Sequence, residues 1–165
     1  MPELQRLRAD HADAVLAFER QNRAWFARSI SDRGDDFFER YAEKHAARLA
    51  EQERGEGAYF VLVDEDGSVL GRFNLVLDEP GRAELGYRMA ESATGRGLAT
   101  RSVREVCGLA GSTYGAREVV AATSRRNLAS QRVLQKAGFV VTGPADPGDI
   151  GGQEGSWWRL EVSAG

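Results

Sequence analysis

Apolar positions along this chain switch between two periods. The opening ELQRLR alternates and predicts a short strand. From Asp10, which offers a side-chain N-cap, Ala14, Val15, Phe18, Ala24 and Trp25 recur at helical spacing and predict a helix of about four turns. A polar loop, SISDRGDD, follows. From about Phe37 to Arg54, the residues Phe37, Phe38, Tyr41, Ala42, Ala46 and Leu49 share one side of a second amphipathic helix. The pattern then becomes β-like. AYFVLVDEDGSVLGRFNLVL holds two strand runs around Asp66-Gly67, a dipeptide that predicts a tight turn with positive φ at both central residues. After the Pro80-Gly81 turn, AELGYRMA alternates Leu85, Tyr87 and Met89 against Glu84, Gly86 and Arg88, which predicts a third meander strand.

Helical spacing returns from Leu98 to about Tyr114, with Leu98, Ser102, Val103, Val106, Cys107, Leu109 and Ala110 turned to the core. EVVAAT predicts a strand, and NLASQRVLQKAG a helix closed by Gly138. FVVTG and SWWRLEV predict the last strands, on either side of a Gly-rich loop from Gly143 to Gly155. Trp157 and Trp158, adjacent on a strand, face opposite sides, one of them toward the core. The order of elements predicts an α/β fold, a mixed sheet flanked by helices. An exposed final strand in SWWRLEV offers pairing across a dimer, so monomer and homodimer both stay open.

Composition narrows the function. The 165 residues suit one domain spanning 1–165. A net charge of -3 argues against general affinity for nucleic acid and is compatible with a cationic substrate. Cys107 is the sole cysteine, which excludes an internal disulfide. No Cys/His cluster has metal-site spacing, and His11 and His45 read as helix-surface residues. The charged N-terminus lacks a signal-peptide core, and no apolar run reaches the roughly 18–20 residues of a membrane span. A soluble cytoplasmic protein, without membrane association, is the expectation.

The candidate chemistry centres on Thr94-Gly95-Arg96-Gly97-Leu98-Ala99-Thr100, where a strand gives way to a helix. The first amides of a helix have no internal partners and lie at its positive end. Glycines let a phosphate approach those amides, and Arg96 adds a full charge. The alternative is an ordinary strand-to-helix turn. A Walker loop is excluded, because no lysine follows the glycines. The dinucleotide fingerprint fails because Thr100 stands where its third glycine or alanine belongs.

With NLASQRVLQKAGF, these residues make the chain resemble the GNAT-type N-acetyltransferases. That family carries Gln/Arg-x-x-Gly-x-Gly/Ala at a strand-to-helix junction, then Asn-x-x-Ser and Leu-x-Lys-x-Gly-Phe; Thr94 departs from the first position of the glycine motif. LQRLRADHADAVLAFERQNRAWF, FVLVDEDGSVLGRFNL and AELGYRMAE extend the likeness toward the branch of ribosomal-protein N-terminal (alanine/serine) acetyltransferases. The resemblance implies a GNAT-like, mostly antiparallel sheet and direct transfer of acetyl from acetyl-CoA to a primary amine, with no metal.

By that resemblance, Gly95, Arg96, Gly97, Leu98, Ala99 and Thr100 hold the pyrophosphate. Asn127 binds the pantetheine arm, and Ser130 reaches the sulfur. A backbone amide near Met89 serves the oxyanion. Glu84 is the candidate general base, directly or through one water. Its plainer reading is a strand residue paired with Arg72 or Arg82, and that of Asn127 is a helix cap. Trp25, Phe26 and Tyr87 are candidates for the substrate mouth, with one of Trp25 and Phe26 in the core. Arg33-Gly34-Asp35 matches an adhesion tripeptide by coincidence. The acceptor is the N-terminus of a ribosomal or other protein, or a small-molecule amine. A CoA-binding module without turnover and, more weakly, a nucleotide-binding regulator are the competing readings.

Overall fold

Gly57–Val63 (β2) is buried at six of its seven positions, the pattern of a strand covered on both faces. In the computed structural model, which describes residues 1–150 and 154–163, β2 lies between Glu3–Arg6 (β1) and Val69–Glu79 (β3), antiparallel to both. The meander continues from β3 into Arg82–Met89 (β4). Glu118–Ser124 (β5) runs parallel to β4. Gly155–Glu161 (β7) inserts antiparallel between β5 and Val140–Ala145 (β6). Among the described residues this makes one seven-stranded sheet in the order β1-β2-β3-β4-β5-β7-β6, mixed and mostly antiparallel.

Helices cover both faces. Ala12–Gln21 (α1), Arg23–Phe26 (α2), Asp35–Glu39 (α3) and Tyr41–Glu53 (α4) precede the meander. Leu98–Ser112 (α5) and Leu128–Lys136 (α6) flank β5. Phe60 and Phe73 are register partners and bury against the α5 side, where Val103 and Val106 are fully buried. Tyr59 and Arg72 point the other way, to Glu51 of α4 and Glu19 of α1.

Several local expectations are corrected. The four-turn helix from Asp10 is instead a 3-10 turn at Ala9–His11 followed by α1 and α2, broken at Asn22. Asn22 bonds the Phe18 carbonyl at 2.9 Å and accepts the Glu91 amide at 3.0 Å, so tertiary contact holds the break. Asp10 is not the cap. It pairs with Arg8 at 3.1 Å, while His11 Nδ1 accepts the Arg8 amide. The second helix is likewise split at Arg40 into α3 and α4.

His11 and His45 are not surface residues; they are 6% and 3% exposed. His45 Nε2 donates to the Arg8 carbonyl at 2.8 Å and its Nδ1 accepts from the Tyr41 hydroxyl at 2.9 Å, so both polar ends are satisfied inside. At the hairpin only Gly67 has positive φ, 86°, and its amide donates to Asp64, a longer loop than the two-residue turn expected. The final strand is no edge: β7 is paired on both sides, and β1 and β6 are the sheet's edges. In the Gly-rich loop, β6 runs on to Ala145 and a 3-10 turn covers Pro147–Ile150; residues 151–153 lie outside the described residues. Trp158 is the buried member of the tryptophan pair.

Candidate active site

The cleft exists because β4 and β5 part company. Their parallel ladder pairs Arg82–Glu84 with Glu118–Val120 and ends there. Beyond it, Leu85–Arg88 form one wall and Ala121–Ser124 the other wall of a cavity of about 350 Å³. A second cavity of about 330 Å³ continues toward the start of α5. Tyr87, Arg88, Asn127, Ser130, Ser29 and Ile30 border both.

The second cavity is lined by open backbone at the start of α5. Gly95 and Gly97 sit at φ 76° and 73°, a left-handed conformation that side chains with a Cβ resist. No atom lies within 4 Å of where a Cβ would stand at either glycine, so their backbone is open to a ligand. Among the described residues, the amides of Gly95 through Thr100 donate to no backbone carbonyl; the first helical bond runs from the Arg101 amide to Gly97. Unpaired amides at the positive end of a 15-residue helix fit a diphosphate. Thr94, Gly95, Gly97, Leu98, Ala99 and Thr100 line this cavity, whereas Arg96 is exposed and does not.

Antiparallel pairing supplies further donors. The Ala90 amide bonds Leu70 at 2.8 Å, so alternate β4 residues turn their amides away from β3. Tyr87 and Met89 are those residues, and beyond Glu84 no β5 ladder meets them. Their amides face the gap.

Tyr87 stacks on Phe73 with centroids 5.6 Å apart and donates its hydroxyl to Ser130 Oγ at 3.1 Å. Burial pushes the Tyr87 phenol up to about 12, against the opposing effect of Ser130, so the phenol keeps its proton at neutral pH. The Ser130 hydroxyl still has its own proton to give. Asn127 does cap α6, its Oδ1 accepting the Ser130 amide at 3.1 Å, and that bond orients Ser130.

Trp25 and Phe26 both border the second cavity, and neither borders the first. Phe26 is in the core against Phe18; Trp25 is half-buried. Glu84 is exposed at the last rung of the β4–β5 ladder, on the face of Gly86 and Arg88, just outside the lining of the first cavity. The arginines considered as its partners pair elsewhere, Arg72 with Glu19 and Arg82 with Glu79. Cys107 is buried, lines neither cavity, and has its thiol pushed up to about 12 by burial.

Periodicity gave no sign of the cluster beneath the first cavity. Glu19, 1% exposed, accepts from Arg33 at 2.9 Å, Arg72 at 2.8 Å and Arg88 at 3.2 Å. All three arginines also line that cavity. Their convergence comes from α1, the loop before α3, β3 and β4, segments far apart in sequence.

Unpaired amides at a strand-to-helix junction, beside a cleft between splayed parallel strands, fit an acyl-CoA-dependent transferase. Residues 3–140 match the acetyltransferase (GNAT) domain family, and the chain belongs to it. It is an acetyl-CoA-dependent acetyltransferase of that family, and among its described residues no group of His, Cys, Asp and Glu is placed to hold a metal. A probable N-acetyltransferase of Bacillus subtilis, YjcK, is 29% identical over 147 residues, 84% of this chain and 80% of that protein. The ribosomal-protein-S5-alanine acetyltransferase of Vibrio fischeri superposes with a TM-score of 0.89 at 20% identity, over 97% of this chain and 92% of that one. RimL, a ribosomal L7/L12 α-N-protein acetyltransferase solved with coenzyme A, gives 0.87 at 18% identity, over 99% and 96%.

Proposed function

We propose that this enzyme acetylates the N-terminal amine of a protein by direct transfer from acetyl-CoA. The observation that carries the reading is the Tyr87–Ser130 hydroxyl pair standing where a coenzyme-side cavity meets an acceptor-side cavity. The structural similarity to enzymes named for ribosomal-protein N-termini supports the choice of acceptor.

The amine must be neutral to attack. An α-amino group has a reference pKa of about 7.7–8.0 against roughly 10.4 for lysine, so it needs less help. Glu84, exposed at the vertex where the strands split, takes the proton through a water. The nitrogen bonds to the acetyl carbon, the tetrahedral oxygen accepts from the Met89 or Tyr87 amide, and the carbon–sulfur bond breaks. Ser130 gives the departing sulfur its proton and takes that of Tyr87, 3.1 Å away, while the second proton shed by the nitrogen returns through water to the Tyr87 oxygen, which leaves both hydroxyls neutral. Asn127 holds the pantetheine arm, and amides of Gly95 through Thr100 hold the diphosphate. No acyl-cysteine enters this route, because Cys107 is packed in the core.

The acceptor is tested by incubating cell extract with the enzyme and labelled acetyl-CoA, then locating label by mass spectrometry. Label on protein N-termini is expected. Label confined to small amines moves the acceptor to a metabolite, and tight CoA binding without any labelled product reduces the protein to a binding module.

A further inference from the structure

We propose, on the basis of the acetyltransfer reading above, that the acceptor is anionic close to its amine, with a carboxylate seated on Arg33, Arg72 and Arg88. For a protein acceptor this means an acidic side chain immediately behind the free N-terminus.

The charge balance carries this. Three guanidiniums converge on Glu19, and among the described residues no other carboxylate pairs with any of them. The side chains of Arg33, Arg72 and Arg88 are 25%, 6% and 13% exposed, so two uncompensated positive charges are held largely away from water. Burying charge without a partner is costly, and a fold retains it where a ligand supplies the counter-charge. The described lining of the acceptor-side cavity contains these three arginines and no acidic residue.

The cluster is also aimed and braced. Arg88 lies over the Phe26 ring at 4.6 Å and Arg33 over Phe37 at 4.6 Å, which fixes two guanidinium planes. Glu19 takes one or two donors from each arginine, while a guanidinium has five. Remaining donors suit a carboxylate in the two-pronged manner arginine favours. Of the two cavities of the cleft, Arg33 and Arg72 border only the acceptor-side one, so the coenzyme's phosphates at the start of α5 do not account for them. Both arginines also line a separate cavity with Asp36 and Glu51, but those carboxylates pair with Arg40 and Arg48 and not with the cluster. Arg88 follows Tyr87 on β4 and points to the opposite face, toward Glu19, so the anion site lies across the strand from the Tyr87–Ser130 pair, and both residues border the gap beside β4. The same charge disfavours polyamines.

The test measures kcat/KM with saturating acetyl-CoA for peptides that share a first serine and carry Asp, Asn or Lys second. Small acidic amines, neutral amines and spermidine run alongside. The Asp peptide is expected to exceed the Asn peptide about tenfold and the Lys peptide by more, mainly through KM. Arg33→Gln should erase most of that margin, and Arg33→Glu should turn it toward the Lys peptide while CoA affinity stays unchanged; a merely structural role for Arg33 would lower all three peptides together. Equal or basic-favouring turnover of the peptides overturns the proposal and leaves N-terminal acetylation standing. Turnover of small acidic amines alone keeps the anion site and overturns the protein acceptor. Turnover of spermidine or neutral amines alone overturns both. If none turns over, calorimetric titration of the same compounds into CoA-saturated enzyme decides: acid-selective binding supports the anion site, and its absence refutes it.

Discussion

The Tyr87 hydroxyl, from strand β4, donates to Ser130 Oγ of helix α6 at 3.1 Å and so ties one wall of the cleft to the helix that follows the other. Neither residue lies near the other in the chain, and both border each of the two cavities.

Ser130→Ala should lower kcat about tenfold or more while leaving CoA affinity within a few-fold, since its proton is needed only as sulfur departs. Tyr87→Phe should lower kcat less, because Ser130 remains. The double variant should fall well short of the product of the single losses, as two members of one relay are not independent. Steady-state kinetics with isothermal titration of CoA reads all three.

Gly97→Val should weaken CoA binding at least tenfold. Space is not the obstacle, because nothing stands within 4 Å of the Cβ position; the left-handed φ of 73° is. Holding a β-branched residue in that region costs roughly 1–2 kcal/mol or more, so the backbone shifts out of it and turns the neighbouring amides off their target. Titration of CoA into the variant checks this, with circular dichroism to confirm the fold.

Glu84→Gln should reduce kcat/KM at neutral pH about tenfold to a hundredfold, within the range for a lost general base. The deficit should close as pH rises past the acceptor's own amine pKa, about 8, because the free amine then needs no base. A constant ratio to wild type from pH 6 to 9.5 would remove Glu84 from proton transfer.

Glu19→Gln should destabilise the fold by about 3–5 kcal/mol, the usual result of stripping one partner from a buried ionic cluster. Burial pushes the Glu19 carboxyl up, but Arg33, Arg88 and Arg72 outweigh it and hold the group below its usual value of 4.5. A depressed folded pKa stabilises above the ordinary carboxylate range and loses that contribution as pH falls through the folded value. Wild-type stability should therefore decline below about pH 4.5 more steeply than that of the variant, as denaturant titrations across pH 2.5–7 would show.

Local chemistry made the elements and half of the site legible in the sequence. Alternation in Leu85, Tyr87 and Met89, helical spacing from Leu98 to Ala110, and the glycines at 95 and 97 each depend on neighbours a few residues away, so they can be read from one string. The open amides before α5 were legible for the same reason: they are contiguous. Tertiary structure alone decided the rest. Asn22 broke a helix because Phe18 and Glu91 claimed its side chain, and two histidines that looked solvent-facing were buried because the Arg8 segment supplied their partners. β7 lost its edge when β6 folded over it. The arginine cluster on Glu19 draws its members from positions 19, 33, 72 and 88. Charge pairing acts through space and leaves no period along the chain, so the arginine-lined side of the cleft is set only by the closed sheet.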